Sequence, residues 1–337
     1  MRIIRIILFP VSIIYAWITS FRNFLFDIKF FKEHTFSNHI ISIGNLSVGG
    51  TGKSPHIIYL IELFKDNYKI ATLSRGYGRK TQGVLIADEE ATTETIGDEP
   101  YLYYLRYGSS LLVAVAERRN LGVKRLNNIR QSDIILLDDA YQHRSIARDS
   151  NILLTDYFHP FYGDFVLPYG ELREKRKEAK RADIIIVTKS PEDLSINDQD
   201  MIASKIHKYT SAPVFFTSVK YGELQNVLRK LKEVKKVIAF SGVAKPQKFE
   251  DYLAGQYQLV DSIRFKDHNE YSRKDLKHIY DFWSSKKDKD IALVTTEKDW
   301  VRLIEKESFF RDVPLYYLPI SIVFLDREEE FRKLLKL

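Results

Sequence analysis

The chain has 337 residues, 45% apolar and 29% charged, a balance that excludes a disordered polypeptide and favours two domains over one. It has no cysteine, which excludes disulfides, thiolate metal sites and a cysteine nucleophile and fits a reducing compartment. Lysine and arginine outnumber aspartate and glutamate by 52 to 45, and the net charge of +7 favours phosphates, nucleic acid or anionic lipid as partners.

The surplus is concentrated at the front, where residues 1–32 carry Arg2, Arg5, Arg22, Lys29 and Lys32 against Asp27 alone. Ile6 to Phe21 is free of charge but shorter than the ~20 apolar residues of a spanning helix. Ala16-Trp17-Ile18 puts a bulky residue where a signal-peptide cleavage site needs small ones. At ~100° per residue, Arg2, Arg5, Ser12, Thr19, Arg22 and Asn23 fall on one side of a helix, with Ile6, Ile13, Trp17 and Phe24 on or near the other. This phase predicts a helix within residues 1–30 that lies in the headgroup plane with its arginines toward anionic lipid; a buried core helix is the plainer alternative. A second basic cluster, Arg173, Lys175, Arg176, Lys177, Lys180 and Arg181, is diluted by Glu171, Glu174 and Glu178.

From His39 onward, short β-branched runs alternate with helical stretches. Strands are predicted at Ile40–Ile43, Ile70–Leu73, Leu112–Val115, Ile134–Leu137, Ile152–Leu154 and Ile184–Val187, with helices at Ser54–Phe64, Glu99–Tyr107 and Arg119–Ile129. Wholly apolar strands separated by helices imply a doubly wound, mostly parallel α/β domain over residues 31–211, with ligands at the carboxyl ends of its strands. A second, smaller α/β domain over 236–337 is expected from strands at Lys236–Phe240, Tyr257–Ile263, Ile291–Val294 and Leu315–Leu318 and helices near Lys245–Leu253 and Ser272–Ser284. Its last strand is a candidate for returning to the first domain. Between the two, residues 212–235 form a connecting segment in which Ala212–Thr217 and Leu228–Val234 are candidates for a two-stranded hinge.

The strongest local signal follows the first strand. Ser47-Val48-Gly49-Gly50-Thr51-Gly52-Lys53-Ser54 leads into a helix, the strand–loop–helix context of a phosphate loop. Its glycines let backbone N–H groups turn toward phosphates, Lys53 neutralises phosphate charge, and Ser54 is suited to Mg²⁺. Ser47 stands where that motif has its first glycine, so the match rests on Gly52-Lys53-Ser54 and the context. A glycine-rich turn that happens to precede a lysine is the plain alternative. Ile134–Leu137 ends in Asp138-Asp139, and an apolar strand followed by Asp reads as the Mg²⁺-holding element of a P-loop NTPase, with Asp138 as the metal partner.

Four further clusters carry chemistry. Ser74-Arg75-Gly76-Tyr77-Gly78-Arg79 sets two arginines on a flexed loop suited to anions, and Gly97-Asp98-Glu99-Pro100 precedes a helix. Glu117-Arg118-Arg119 can clamp phosphate, and Asp267-His268 follows a strand of the second domain.

Together these pieces resemble the tetraacyldisaccharide 4′-kinases of lipid A biosynthesis. The resemblance rests on Asn45 to Pro55, Ser74 to Arg79, Gly97 to Pro100, Asp138-Asp139 through His143-Arg144, and Leu172-Arg173-Glu174. In the second half it rests on Phe240-Ser241-Gly242, Asp267-His268 with Tyr271, and Thr295-Thr296 with Lys298-Asp299. It implies a P-loop NTPase-like fold with an N-terminal membrane-interface helix, at the cytoplasmic face of the bacterial inner membrane in a peripheral or monotopic position. The implied reaction moves the γ-phosphate of ATP to the 4′-hydroxyl of a disaccharide 1-phosphate glycolipid, a lipid A precursor, and nucleic acid is not an expected partner. The loop from Ser47 to Ser54 would hold ATP, Ser54 and Asp138 Mg²⁺, and Lys53 and Asp139 would act in catalysis. Asp98 would take the proton of the sugar hydroxyl with His268 supporting it, while Arg75, Tyr77, Glu99, Arg119, Gln142, His143, Arg173 and Glu174 would contact substrate or phosphate. Ala140, Tyr169, Glu171 and Lys175 depart from the family pattern.

The competing readings are a kinase for a soluble metabolite, a membrane-associated P-loop ATPase or GTPase, and a nucleotide-binding scaffold. A GTPase needs an Asn-Lys-x-Asp guanine reader, which neither Thr188-Lys189-Ser190-Pro191 nor Thr296-Glu297-Lys298-Asp299 supplies.

Overall fold

A computed structural model describes residues 8–335, and contacts divide the chain into two units, Met1–Val219 with Ile322–Leu337, and Lys220–Ser321. The first unit is built on strands β1 (His39–Asn45), β2 (Ile70–Ser74), β3 (Leu85–Ile86), β4 (Leu112–Val115), β5 (Ile134–Asp138), β6 (Ser150–Asp156), β7 (Ile184–Thr188) and β8 (Val214–Tyr221). The second carries β9 (Gln225–Asn226), β10 (Lys236–Ser241), β11 (Gln258–Arg264), β12 (Ile291–Thr296) and β13 (Leu315–Leu318), after which β14 (Ile320–Phe324) leads back.

The large sheet has the order β14-β8-β7-β6-β1-β5-β2-β4-β3. Pairing is parallel from β8 through β4; the short β3 runs antiparallel on β4, and the bonds Gly222 N–H to Pro319 O and Leu325 N–H to Phe216 O set β14 antiparallel on β8. Helices cover it because its strands are apolar on both faces: Ile40, Ile41 and Ile43 of β1 and all of Ile134–Leu137 of β5 are buried. β1 lies between β5 and β6, with Ile43 opposite Asp138, so the phosphate loop and the acidic pair leave adjacent strands at the same edge. That edge is where a doubly wound sheet binds ligand.

The small sheet, β11-β10-β12-β13-β9, is parallel apart from β9 and packs around Phe240, Ile279, Trp283 and Leu293. The C-terminal helix Glu328–Leu334 belongs to the first unit, where the buried Phe331 ring lies 5.6 Å from Phe215 and 4.7 Å from Phe324.

The structure corrects the ribbon expected between the domains. Ala212–Thr217 falls at the start of β8, but the strand beside β8 is β14, and Leu228–Val234 forms no strand. The amide of Leu231 donates to the Tyr316 hydroxyl at 2.8 Å instead of to a ladder, and the apolar residues of this stretch, Leu228, Leu231 and Val234, recur at every third position rather than at the two-residue spacing of a half-buried strand.

The N-terminal helix, Phe9–Asp27, is also corrected. Its polar stripe faces protein. Ser12 accepts a hydrogen bond from the Tyr169 amide at 2.8 Å, Asn23 donates to Glu174 and Glu178 at 3.1 and 3.0 Å, and Arg22 pairs with Glu174 at 2.8 Å. The apolar side faces out, with Ile14, Trp17 and Ile18 all more than 60% exposed. Two buried carboxylates draw in the groups expected to meet lipid, because a buried Glu174 without Arg22, Asn23 and Arg181 would be an uncompensated charge. Arg2, Arg5 and Ile6 lie outside the described residues. No described helix is long and apolar enough to cross a membrane.

Candidate active site

The loop between β1 and the helix Lys53–Phe64 turns on two left-handed glycines, Gly49 (φ 103°) and Gly52 (φ 83°), the second capping the helix. An antiparallel bridge holds it from one side. The amide of Val48 donates to the carbonyl of Glu171 at 2.8 Å and that of Arg173 to the carbonyl of Leu46 at 2.6 Å, with Ser47 opposite Leu172. Tyr141 fixes its entry, since a Cβ on Gly44 would lie 2.6 Å from the Tyr141 amide.

Lys53 and Ser54, the first residues of that helix, are buried and aimed at acids. Lys53 Nζ is 3.6 Å from Asp139 Oδ1, and Ser54 Oγ donates to Glu99 Oε1 at 2.6 Å. Asp138, at the end of β5, is fully buried; its Oδ2 accepts from the Tyr103 hydroxyl at 2.9 Å, and its Oδ1 has no protein partner. Burial first, then Glu99 and Asp139, push its carboxyl above the usual range, while Lys53 and the Tyr103 hydroxyl pull it back. Asp139 adopts a left-handed φ of 47°, which Asp tolerates better than most residues, and Arg173 Nη1 reaches both of its oxygens at 3.0 Å. Ala140, where the family pattern has glycine, is not left-handed, so its methyl brings no strain of that kind.

This donor set fits Mg²⁺. A buried carboxylate oxygen without a partner, a second acid nearby and a serine hydroxyl are hard oxygen ligands, and surplus negative charge favours a cation. Among the described residues no three acidic or histidine side chains form a self-contained metal cage, and Mg²⁺ characteristically uses few carboxylates plus phosphates and water.

The Gly97-Asp98-Glu99-Pro100 turn starts the helix Asp98–Tyr107. Gly97 has a φ of 91°, and a Cβ there would lie 2.8 Å from the Tyr77 carbonyl, so the turn packs tightly on the arginine-bearing loop after β2. Asp98 is half-buried in the helix's first turn, and its neighbour Glu99 joins Ser54 rather than standing apart as a substrate contact. Arg75 and Tyr77 lie exposed on that loop, and Arg79 turns away to pair with Glu117. Arg119 is 1% exposed and anchored to the Ala116 carbonyl at 2.5 Å; burial lowers its pKa to about 10, against the opposing pull of Asp138 and Asp139.

Gln142 donates to the Asn45 carbonyl at 2.9 Å and so supports the loop's first residue. His143 stays neutral, its pKa lowered to about 4 by burial and then by Arg119 and Arg75. Glu174, expected at the substrate, is 1% exposed and shared by Arg22, Asn23 and Arg181. Tyr103 was not anticipated from sequence. The only signal was a tyrosine five residues after Asp98, indistinguishable there from helix packing.

In the second unit, the expected motifs gather behind His268, an exposed residue with a left-handed φ of 55°. Its amide donates to the Gly242 carbonyl at 3.1 Å, and its Nδ1 lies 3.0 Å from Arg302 Nη2. A guanidinium only donates, so Nδ1 accepts and Nε2 carries the ring proton. Arg302 is held by the fully buried Asp299, which also accepts from the Thr296 hydroxyl at 2.7 Å and the Gly242 amide at 3.1 Å.

The family model described as tetraacyldisaccharide-1-P 4′-kinase matches residues 4–337. The tetraacyldisaccharide 4′-kinase of Flavobacterium psychrophilum is 43% identical over 99% of this chain and 96% of its own length. That of Bacteroides thetaiotaomicron is 37% identical over 96% of this chain and 90% of its own. The crystal structure of LpxK from Aquifex aeolicus in complex with ATP aligns with a TM-score of 0.79 and 31% identity, covering 99% of this chain and 98% of that one.

Proposed function

The chain belongs to the tetraacyldisaccharide 4′-kinase family, and from that premise we propose how its own residues carry the transfer. The enzyme is an ATP-dependent kinase of lipid A biosynthesis. The observation that carries the reading is the placement of Lys53 and Ser54 beside Asp138 and Asp139, at the ends of two adjacent parallel strands. Phosphoryl transfer asks for alignment and charge stabilisation rather than covalent help.

The loop's backbone N–H groups and Lys53 hold the β- and γ-phosphates and offset the charge on the equatorial oxygens. Ser54 and Asp138 are the residues that would hold Mg²⁺. When bound there, Mg²⁺ would supply neutralisation of phosphate charge. Asp139, fixed by Arg173 and Lys53, orients the lysine. Asp98 is assigned as the base that accepts the proton of the 4′-hydroxyl, with His268 assisting it. Arg75, exposed at the same strand edge, is the arginine placed to meet acceptor or phosphate. Arg119, held at the Ala116 carbonyl, contributes its field from behind.

Incubating the protein with ATP labelled at the γ-position, Mg²⁺ and a disaccharide 1-phosphate lipid tests this function. Label is expected at the 4′ position of the acceptor. Label found only in inorganic phosphate would support the ATPase reading instead, and label that stays in ATP the scaffold reading.

The lipid acceptor gives the outward apolar side of the Phe9–Asp27 helix a use: it lies on the cytoplasmic face of the inner membrane with Ile14, Trp17 and Ile18 among the acyl chains. Because these side chains are exposed, replacing Trp17 and Ile18 together by glutamate costs little folding stability. It is expected to weaken binding to anionic vesicles at least about tenfold, the scale set by losing two buried apolar side chains. Sedimentation with vesicles checks this, with ATP affinity expected to stay at the parent value. Equal sedimentation would leave the helix a structural role alone.

A further inference from the structure

The segment Thr188-Lys189-Ser190-Pro191, rejected above as a guanine reader, has another use on the same sheet edge. Lys189 Nζ donates to the Gly50 carbonyl, and Thr188 Oγ1 donates to the Thr51 carbonyl at 2.9 Å. His56, one turn into the helix that follows the loop, has its Nδ1 2.7 Å from the Gly52 carbonyl. Three successive carbonyls of the phosphate loop are thus each held by a different side chain.

We propose that Lys189, Thr188 and His56 form an outer brace that sets the phosphate loop for ATP, acting as positioning residues rather than touching the nucleotide. The argument is one of peptide geometry. In a planar trans peptide, the carbonyl of one residue and the N–H of the next point in opposite directions. Holding the oxygens of Gly50, Thr51 and Gly52 outward turns the N–H groups of Thr51, Gly52 and Lys53 the other way, as a cradle for phosphate requires. Glycines make this loop pliable, and a pliable loop must otherwise be ordered when the anion binds. Side chains that order it beforehand lower that cost.

Each member of the brace is itself fixed. Lys189 has a left-handed φ of 59° at the end of β7, and its Nζ also pairs with Asp156 Oδ2 at 2.6 Å, a carboxylate that is 8% exposed on its side chain. Thr188 is 1% exposed and its hydroxyl lies 3.3 Å from a second carbonyl, that of Thr155. His56 is 3% exposed, and because the Gly52 carbonyl only accepts, Nδ1 carries the proton and Nε2 accepts from the Thr217 hydroxyl at 3.1 Å. Asp156, Thr188, Lys189 and Thr217 come from three neighbouring strands of one sheet, so the brace is as rigid as the sheet itself.

The proposal rests on the loop binding ATP as argued above, and the experiment separates the two. ATP affinity is measured by calorimetry for the full-length parent, Lys189→Met, Thr188→Val and Thr188→Ser, alongside the melting temperature without nucleotide and the KM for ATP and for lipid. Thr188→Val is expected to weaken ATP binding about fivefold and Lys189→Met about tenfold, the scales of one lost neutral and one lost charged hydrogen bond. Thr188→Ser restores affinity, the ATP KM rises with the dissociation constant, and the lipid KM stays within twofold of the parent. Parent-like ATP affinity in both Thr188→Val and Lys189→Met would overturn the brace. So would losses that fall equally on the ATP and lipid KM and follow a drop in melting temperature. A parent protein that does not bind ATP would instead overturn the underlying functional reading.

Discussion

Replacing Asp98 by asparagine is expected to slow turnover at least ~100-fold, the usual scale of a lost general base, while ATP affinity and melting temperature stay near the parent values. The asparagine amide keeps the size and hydrogen-bonding shape of the side chain but cannot take a proton. Asp98 stands in the first turn of the helix Asp98–Tyr107, where the helix dipole favours an anion. Its position is set by the left-handed Gly97, packed against Tyr77 and Gly76. The substituted side chain therefore inherits a rigid setting, and the loss falls on the proton transfer. Near-normal turnover with the asparagine variant, measured at saturating ATP and lipid, would remove Asp98 from the chemistry.

Lys53→Met is expected to cost about 10²–10³ in turnover, the range for removing one preorganised donor at developing charge, and to weaken ATP binding as well. The second effect distinguishes it from the Asp98 variant. Lys53 is 9% exposed and faces Asp139 at 3.6 Å, in a pocket where Asp138 is already disfavoured as an anion by burial, Glu99 and Asp139. Methionine fills the channel of the lysine stem but leaves these acids without their counter-charge, which repels ATP before chemistry starts. Turnover above one tenth of the parent value would show that Lys53 does not bear transition-state charge.

The parallel sheet was legible because doubly covered strands are apolar throughout and end at recognisable chemistry, Gly52-Lys53-Ser54 after β1 and Asp138-Asp139 after β5. Periodicity places residues around a helix axis but does not say which side meets protein. For Phe9–Asp27 the deciding partners, Glu174 and Glu178, lie far along the chain, so the polar stripe could not be assigned to the interior in advance. Glu174 was misplaced for the same reason. The brace shows a different limit: Thr188 and Lys189 act on backbone carbonyls, which leave no trace in residue type, and a motif read only for base recognition offers no hint of that use. Leu228–Val234, with apolar residues only at every third position, forms no strand, and a side-chain hydroxyl takes up the Leu231 amide instead.

The proposed mechanism assigns Asp98 as the base and His268 as its assistant, and a double-mutant cycle on lipid turnover tests this most directly. If the imidazole works only through the carboxylate, Asp98→Asn combined with His268→Ala will be no more than about threefold slower than Asp98→Asn alone, since coupled residues do not lose activity additively. Single-variant losses that multiply in the double variant would show two independent contributions and contradict the proposed couple.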